Sequence, residues 1–193
     1  MVQRVDDACL EVAQTCQLAL QRIEYHQSAE NKVEGEEEPA RYLNVDPTPP
    51  APASTPTEQL RNCFLDENAR IFDRYRAMFA LRNRGGADAL ETLTQAFKTS
   101  KSALLKHELA YVLGQMQDEG AIVRLKEVLE NPIENPMVRH EAAEALGSIA
   151  APDCLQLLHQ FSEDPEPIVA HSCVVALDML HHEQTGEFEY AAS

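Results

Sequence analysis

From residue 58 onward the chain repeats itself at an offset of 33 residues, in helical register. At that offset Ile122 matches Leu155, Leu125 matches Leu158, Glu130 matches Glu163 and Pro132 matches Pro165. A preceding unit aligns at an offset of 32, with Ala80-Leu81 over Val112-Leu113, and a following unit at 31, with Ala145-Leu146 over Ala176-Leu177. Units of about 30 residues with this punctuation are helix pairs, each too small to bury its own apolar face, so neighbours must stack. Apolar residues at three- and four-residue spacing predict helices over 69–83, 87–98, 103–116, 120–130, 137–150, 153–161 and 167–182. Gly85-Gly86, Gly120, Pro132, Pro136, Pro152, Pro165 and Pro167 mark the junctions. No alternating strand pattern competes. The expected fold is all-α, a helical-repeat solenoid (an α-α superhelix) with four repeats over residues 58–183 and a disordered tail over 184–193.

Reading one column across the units singles out the candidate chemistry. At the His-Glu position the four units carry Tyr75-Arg76, His107-Glu108, His140-Glu141 and His171-Ser172. The two central units thus place an imidazole and a carboxylate at matched positions on neighbouring helices, where they can converge. A nitrogen and oxygen donor set of that kind suits a transition metal, iron above all where oxygen chemistry is involved. Lys106 and Arg139 precede the pairs, read either as charge balance for the ligands or as solvated helix positions. Glu144 lies one turn beyond Glu141, either beside the site as an anchor for a cationic group or as a plain surface residue. Tyr75 offers either a hydroxyl that supports the ligands or core packing. His171 lacks the carboxylate neighbour. His181-His182-Glu183 ends the last helix, where cations favour the helix dipole, and His26 and His159 have no partner at ligand spacing. No HExxH, P-loop, GxGxxG or nucleophile-elbow motif is present.

Charge and composition narrow the class further. The formal charge of −16 argues against nucleic-acid binding and suits a basic partner or ordinary solubility. No apolar run reaches the roughly 18 residues of a membrane span, so no membrane association is expected. The N-terminus, with Asp6-Asp7 close to Met1, lacks a secretory core. Cys9, Cys16, Cys63, Cys154 and Cys173 show no CxxC spacing and read as reduced core thiols of a cytoplasmic protein. Residues 28–57 combine the run Glu34-Gly35-Glu36-Glu37-Glu38-Pro39 with Pro47, Pro49, Pro50, Pro52 and Pro56, a composition expected to form a flexible linker. Before it, residues 7–20 align with 164–177, Asp7, Val12, Ala13, Cys16, Ala19 and Leu20 matching Asp164, Val169, Ala170, Cys173, Ala176 and Leu177. Residues 1–27 therefore read as the terminal helix of a truncated N-terminal array, a counterpart to the array over 58–183.

The frames Leu105-Lys106-His107-Glu108-Leu109-Ala110-Tyr111-Val112-Leu113-Gly114 and Val138-Arg139-His140-Glu141-Ala142-Ala143-Glu144-Ala145-Leu146-Gly147 resemble the His-Glu motifs of the deoxyhypusine hydroxylase (deoxyhypusine monooxygenase) family. Residues 7–24, 69–86 and 165–183 resemble it too. The resemblance implies a HEAT-like repeat protein of two similar halves, with two His-Glu motifs in each half and a di-iron centre between them. It further implies iron- and O2-dependent hydroxylation of a deoxyhypusine side chain on a translation initiation factor, giving hypusine. Carried over by position, His107, Glu108, His140 and Glu141 are the expected metal ligands. The other half's motifs are absent from this sequence, which implies an incomplete di-iron complement for this chain alone. Two other readings stand beside this one, a metal-free HEAT-repeat scaffold for protein partners and a relative of the phycobilin-attaching lyases.

Overall fold

The computed structural model describes residues 5–28, 42 and 46–185, and among these every regular element is helical. The chain divides into two compact units, residues up to Leu104 and residues from Leu105 onward.

The first unit holds α1 (Leu10–Gln27), α2 (Thr57–Leu65), α3 (Ile71–Arg84) and α4 (Ala87–Thr99). Helix α3 is its centre: Phe72, Tyr75, Met78, Phe79 and Leu81 are buried, and α1, α2 and α4 all pack on it. Gly85 and Gly86 then reverse the chain with φ of 65° and 83° and ψ near 180°, a conformation that only glycine enters at low cost. Tyr75 is buried and its hydroxyl donates to the Leu104 carbonyl at 3.2 Å, so packing is its role.

The Pro-rich segment departs from its composition. Residues 46–56 are fixed along α3 by three of its arginines. Arg82 makes a bidentate pair with Asp46 at 2.9 and 2.6 Å, its guanidinium also lying over the Tyr42 and Phe79 rings. The Ala51 amide donates to the Arg76 carbonyl at 3.0 Å, and the Arg76 side chain donates to the Pro50 carbonyl. Arg84 donates to the Ala53 and Thr55 carbonyls and to Thr57 Oγ1. Proline has no N–H to offer a helix or sheet ladder, and the carbonyls of this segment accept instead from the guanidinium groups of buried Arg76 and exposed Arg84. The acidic stretch 29–41, the rest of the expected linker, and residues 186–193 of the expected tail lie outside the described residues.

The second unit contains α5 (Ala103–Met116) from Leu105 on, α6 (Ile122–Glu130), α7 (Pro136–Ile149), α8 (Leu155–Phe161) and α9 (Pro167–Thr185). Each short helix, α6 and α8, is entered through a single 3-10 turn, Glu119–Ala121 and Pro152–Cys154. Asn135 caps α7 by accepting from the Met137 amide at 2.9 Å, with Pro136 as the first helical residue. Helix α7 is the hub, packed on α6 and α9. Its contact with α5 is tied at the C-terminal end, where Ser148 Oγ donates to the Gly114 carbonyl at 3.1 Å and Gln117 to the Ser148 carbonyl at 2.7 Å.

Basic residues one position before the column lock the repeats. Arg139, 5% exposed, donates Nε to the Leu129 carbonyl at 2.9 Å and pairs with Asp164 at 2.5 Å. In the first unit Arg74 does the same with the Phe64 carbonyl at 3.0 Å and Glu67 at 2.7 Å. Lys106 pairs with Glu134. Lys106 and Arg139 are therefore buried ties to the loops around α6, α7 and α9, neither solvated positions nor charge balance for ligands. All five cysteines are free thiols; Cys154 and Cys173 are buried as expected, whereas Cys9 is exposed.

Candidate metal centre

Small residues set the spacing of the helices that carry the site. A Cβ on Gly114 of α5 would stand 3.1 Å from Ala145 Cα of α7, and one on Gly147 of α7 only 2.6 Å from Ala176 Cα of α9. Backbones this close bring the column positions of α5, α7 and α9 into side-chain contact.

His107 from α5 and His140 and Glu141 from α7 meet there. His107 Nε2 lies 3.2 Å from Glu141 Oε2, and the two imidazole centroids are 5.3 Å apart. One donor atom from each of the three falls within 4.8 Å of the others. The side chains keep 29%, 16% and 10% of their surface exposed for His107, His140 and Glu141, enough for entry from one side. Among the described residues no other histidine, cysteine or carboxylate trio is so placed. His171 is exposed, and neither it nor His181, His182, Glu183, His26 or His159 belongs to such a group.

Glu108 stands outside the trio. It is half-buried, and its charge acts on His107 from the adjoining position. Consecutive helical residues point about 100° apart, so adjacency to His107 does not by itself bring Glu108 to the same point. Glu141 reaches the site because it lies on the side of α7 that faces α5, while His140 is shared between the site and α9.

Glu144 and Ser172 complete the arrangement. Ser172 Oγ donates to Glu144 Oε1 at 2.8 Å and lies 3.3 Å from His140 Nδ1, while Glu144 Oε1 is 3.6 Å from that nitrogen. The hydrogen bond with His140 holds the Glu144 carboxyl below its usual range against the opposing effect of burial, with Ser172 assisting. Burial pulls the His107 imidazole down. The hydrogen bond to Glu141 and the charges of Glu141, Glu108 and Glu144 together outweigh it, so its pKa stands above the ordinary value. Sequence reasoning passed over Ser172. Its signal was its place in the column, at the position that Glu108 and Glu141 occupy in the preceding repeats.

Two imidazoles and a carboxylate form a donor set suited to a divalent first-row metal. Donors about 2.1 Å from one ion and at right angles to each other stand about 3.0 Å apart, close to the 3.2 Å between His107 Nε2 and Glu141 Oε2. The residues fit a metal.

Comparison with known proteins follows the same lines. The PBS lyase HEAT-like repeat matches three times, over residues 73–99, 105–131 and 138–164. A deoxyhypusine hydroxylase of Bos taurus is 51% identical over 187 residues, covering 96% of this chain and 59% of the relative. That of Homo sapiens is 49% identical over 98% of this chain and 61% of its own length, and deoxyhypusine hydroxylase-B of Oryza sativa subsp. japonica 49% over 95% and 60%. The solved structure of human deoxyhypusine hydroxylase in complex with glycerol superposes with a TM-score of 0.84 over 94% of this chain and 61% of that one. The chain spans about three fifths of the length of the curated relatives it matches. No helix of the described residues is long and apolar enough to cross a membrane.

Proposed function

The chain belongs to the deoxyhypusine hydroxylase family, and on that premise we propose that it supplies one metal-binding face of a cytoplasmic monooxygenase that completes hypusine. The substrate is the deoxyhypusine side chain of a translation initiation factor, and iron with O2 is the oxidant. His107, His140 and Glu141 would hold the iron, which when bound would supply activation of O2, one oxygen atom entering a C–H bond and the other leaving as water with two electrons from an external reductant. The convergence of these three side chains in a chain so close to hydroxylases carries the reading.

The remaining residues bind and orient. Glu108 and Glu144 place negative charge around His107, which favours a long, cationic amine side chain approaching the exposed edges of the imidazoles. His107 Nε2 stands 3.2 Å from Glu141 Oε2, so each of these two ligands helps hold the other in place. A di-iron centre needs more donors than this face provides, and a second set of His-Glu positions completes it in the whole enzyme.

No observation favours a metal-free scaffold, since a solenoid face built only for protein contact has no need of two imidazoles meeting a buried carboxylate. The lyase name belongs to a repeat type, whereas relatives matched along nearly the whole chain are hydroxylases. The test is reconstitution: the chain, ferrous iron, O2, a reductant and a deoxyhypusine-bearing initiation factor, with and without the part of a relative that this chain does not span. Hypusine formed only with the added part supports the proposal. A complete reconstitution in which His140→Ala of this chain leaves hypusine formation unchanged would refute it.

A further inference from the structure

We propose that Ser172 and Glu144 are positioning residues for His140, holding its Nδ1 protonated and leaving Nε2 as the nitrogen offered to a metal. The inference rests on the reading of His107, His140 and Glu141 as ligands, but its own ground is the hydrogen-bond geometry of α7 and α9.

A carboxylate only accepts hydrogen bonds. At 2.8 Å from Glu144 Oε1 the Ser172 hydroxyl therefore donates its single hydrogen there. What remains on Ser172 Oγ is lone pairs, and His140 Nδ1 lies 3.3 Å away. An acceptor facing that nitrogen requires it to be the donor, so the direction set at Glu144 is passed through the hydroxyl to the imidazole. The Glu144 carboxylate, 3.6 Å from Nδ1, adds a charge that favours a proton on the same atom. In the neutral imidazole Nε2 is then the unprotonated nitrogen. Metal-binding histidines are characteristically held this way, by a partner on the ring nitrogen that does not ligate.

The column gives the arrangement its logic. Glu141 of α7 reaches back to His107 of α5, and Ser172 of α9, in the equivalent place one repeat later, reaches back to His140 of α7. The same inter-helix contact thus serves two purposes. The carboxylate meets His107 at Nε2 and shares the site with it, whereas the hydroxyl meets His140 at Nδ1. Ser172 is buried at 6% exposure, so water does not compete for the link.

The test uses the full chain labelled with 15N at histidine. In the metal-free wild type at neutral pH, two-bond 1H–15N correlations should show His140 protonated at Nδ1. Ser172→Ala should weaken that preference and the double variant S172A/E144A should lose it, with circular dichroism and the urea midpoint confirming an intact fold. Anaerobic titration with ferrous ion should be about 10- to 100-fold weaker in the double variant. A wild type protonated at Nε2, or a double variant with unchanged nitrogen shifts and unchanged ferrous affinity, overturns the proposal. If the wild type binds no ferrous ion the ligand reading fails, while the nitrogen shifts still decide for or against the positioning role.

Discussion

Replacing Gly147 with alanine should be far more damaging than making the same change at Gly114, although both lie on helices of the second unit and face a neighbouring helix. Each substitution gains about 1 kcal/mol of helix propensity. At Gly114 the added methyl would sit 3.1 Å from Ala145 Cα and 3.3 Å from its Cβ, a closeness relieved by a few tenths of an ångström of motion. The propensity gain then offsets the strain, and stability should stay within about 0.5 kcal/mol of wild type. At Gly147 the methyl would meet Ala176 Cα and O at 2.6 Å and its Cβ at 2.8 Å. Two of those atoms are backbone of α9, so the helix itself must retreat by roughly 1 Å to reach ordinary contact. Overpacking of this kind costs about 3 kcal/mol at the upper end of its range, leaving a net loss of about 2 kcal/mol. Urea unfolding of both variants measures the difference. Ser172 sits one turn before Ala176 on α9, so the same retreat should stretch its 2.8 Å bond to Glu144 beyond hydrogen-bonding range. Equal midpoints for wild type, G114A and G147A would refute the account of how these helices are spaced.

Asp164→Asn should cost about 3–5 kcal/mol, because it strips the partner from Arg139, whose side chain is only 6% exposed. The hydrogen bond from Arg139 holds the Asp164 carboxyl below its ordinary value despite burial. A carboxyl depressed in the folded state contributes stability that is fully present above its unfolded pKa of 3.8 and lost as pH falls through the lower folded value. Stability measured from neutral pH down to about pH 2 should therefore drop less steeply in the variant. Thiol labelling at mildly alkaline pH should modify Cys9 in the native protein and reach Cys154 and Cys173 only after unfolding. Burial pushes the Cys173 thiol up to about 12, and fast native labelling of it would contradict the packing of α9 on α7.

Regular helix was legible wherever apolar spacing ran for three turns. The expected stretches 69–83, 87–98 and 137–150 correspond to Ile71–Arg84, Ala87–Thr99 and Pro136–Ile149, and 103–116 to Ala103–Met116. Helix α2 was missing from the expected stretches because its nine residues bury only Leu60 and Phe64, too few positions to establish a period. Composition misread residues 46–56, since proline content reports what the segment cannot pair with itself and says nothing of guanidinium groups arriving from α3. The register of the site was legible from the repeat, which put His107, His140 and Glu141 together. Which of two adjacent side chains joins the group was not, because that depends on helix rotation against a neighbour, and Glu108 lies outside the trio of donors. Lys106 and Arg139 were misplaced for a related reason: their partners Glu134 and Asp164 lie in loops, where no period announces them.

The central claim is that His107, His140 and Glu141 form one metal-binding face. Its most direct test is anaerobic ferrous titration of the full chain followed calorimetrically, alongside His107→Ala, His140→Ala, Glu141→Ala and Glu108→Ala, with circular dichroism on each. Binding should vanish in the first three with helix content unchanged and persist in the fourth. Ferrous binding that survives unaltered in the His107 and His140 variants would contradict the claim.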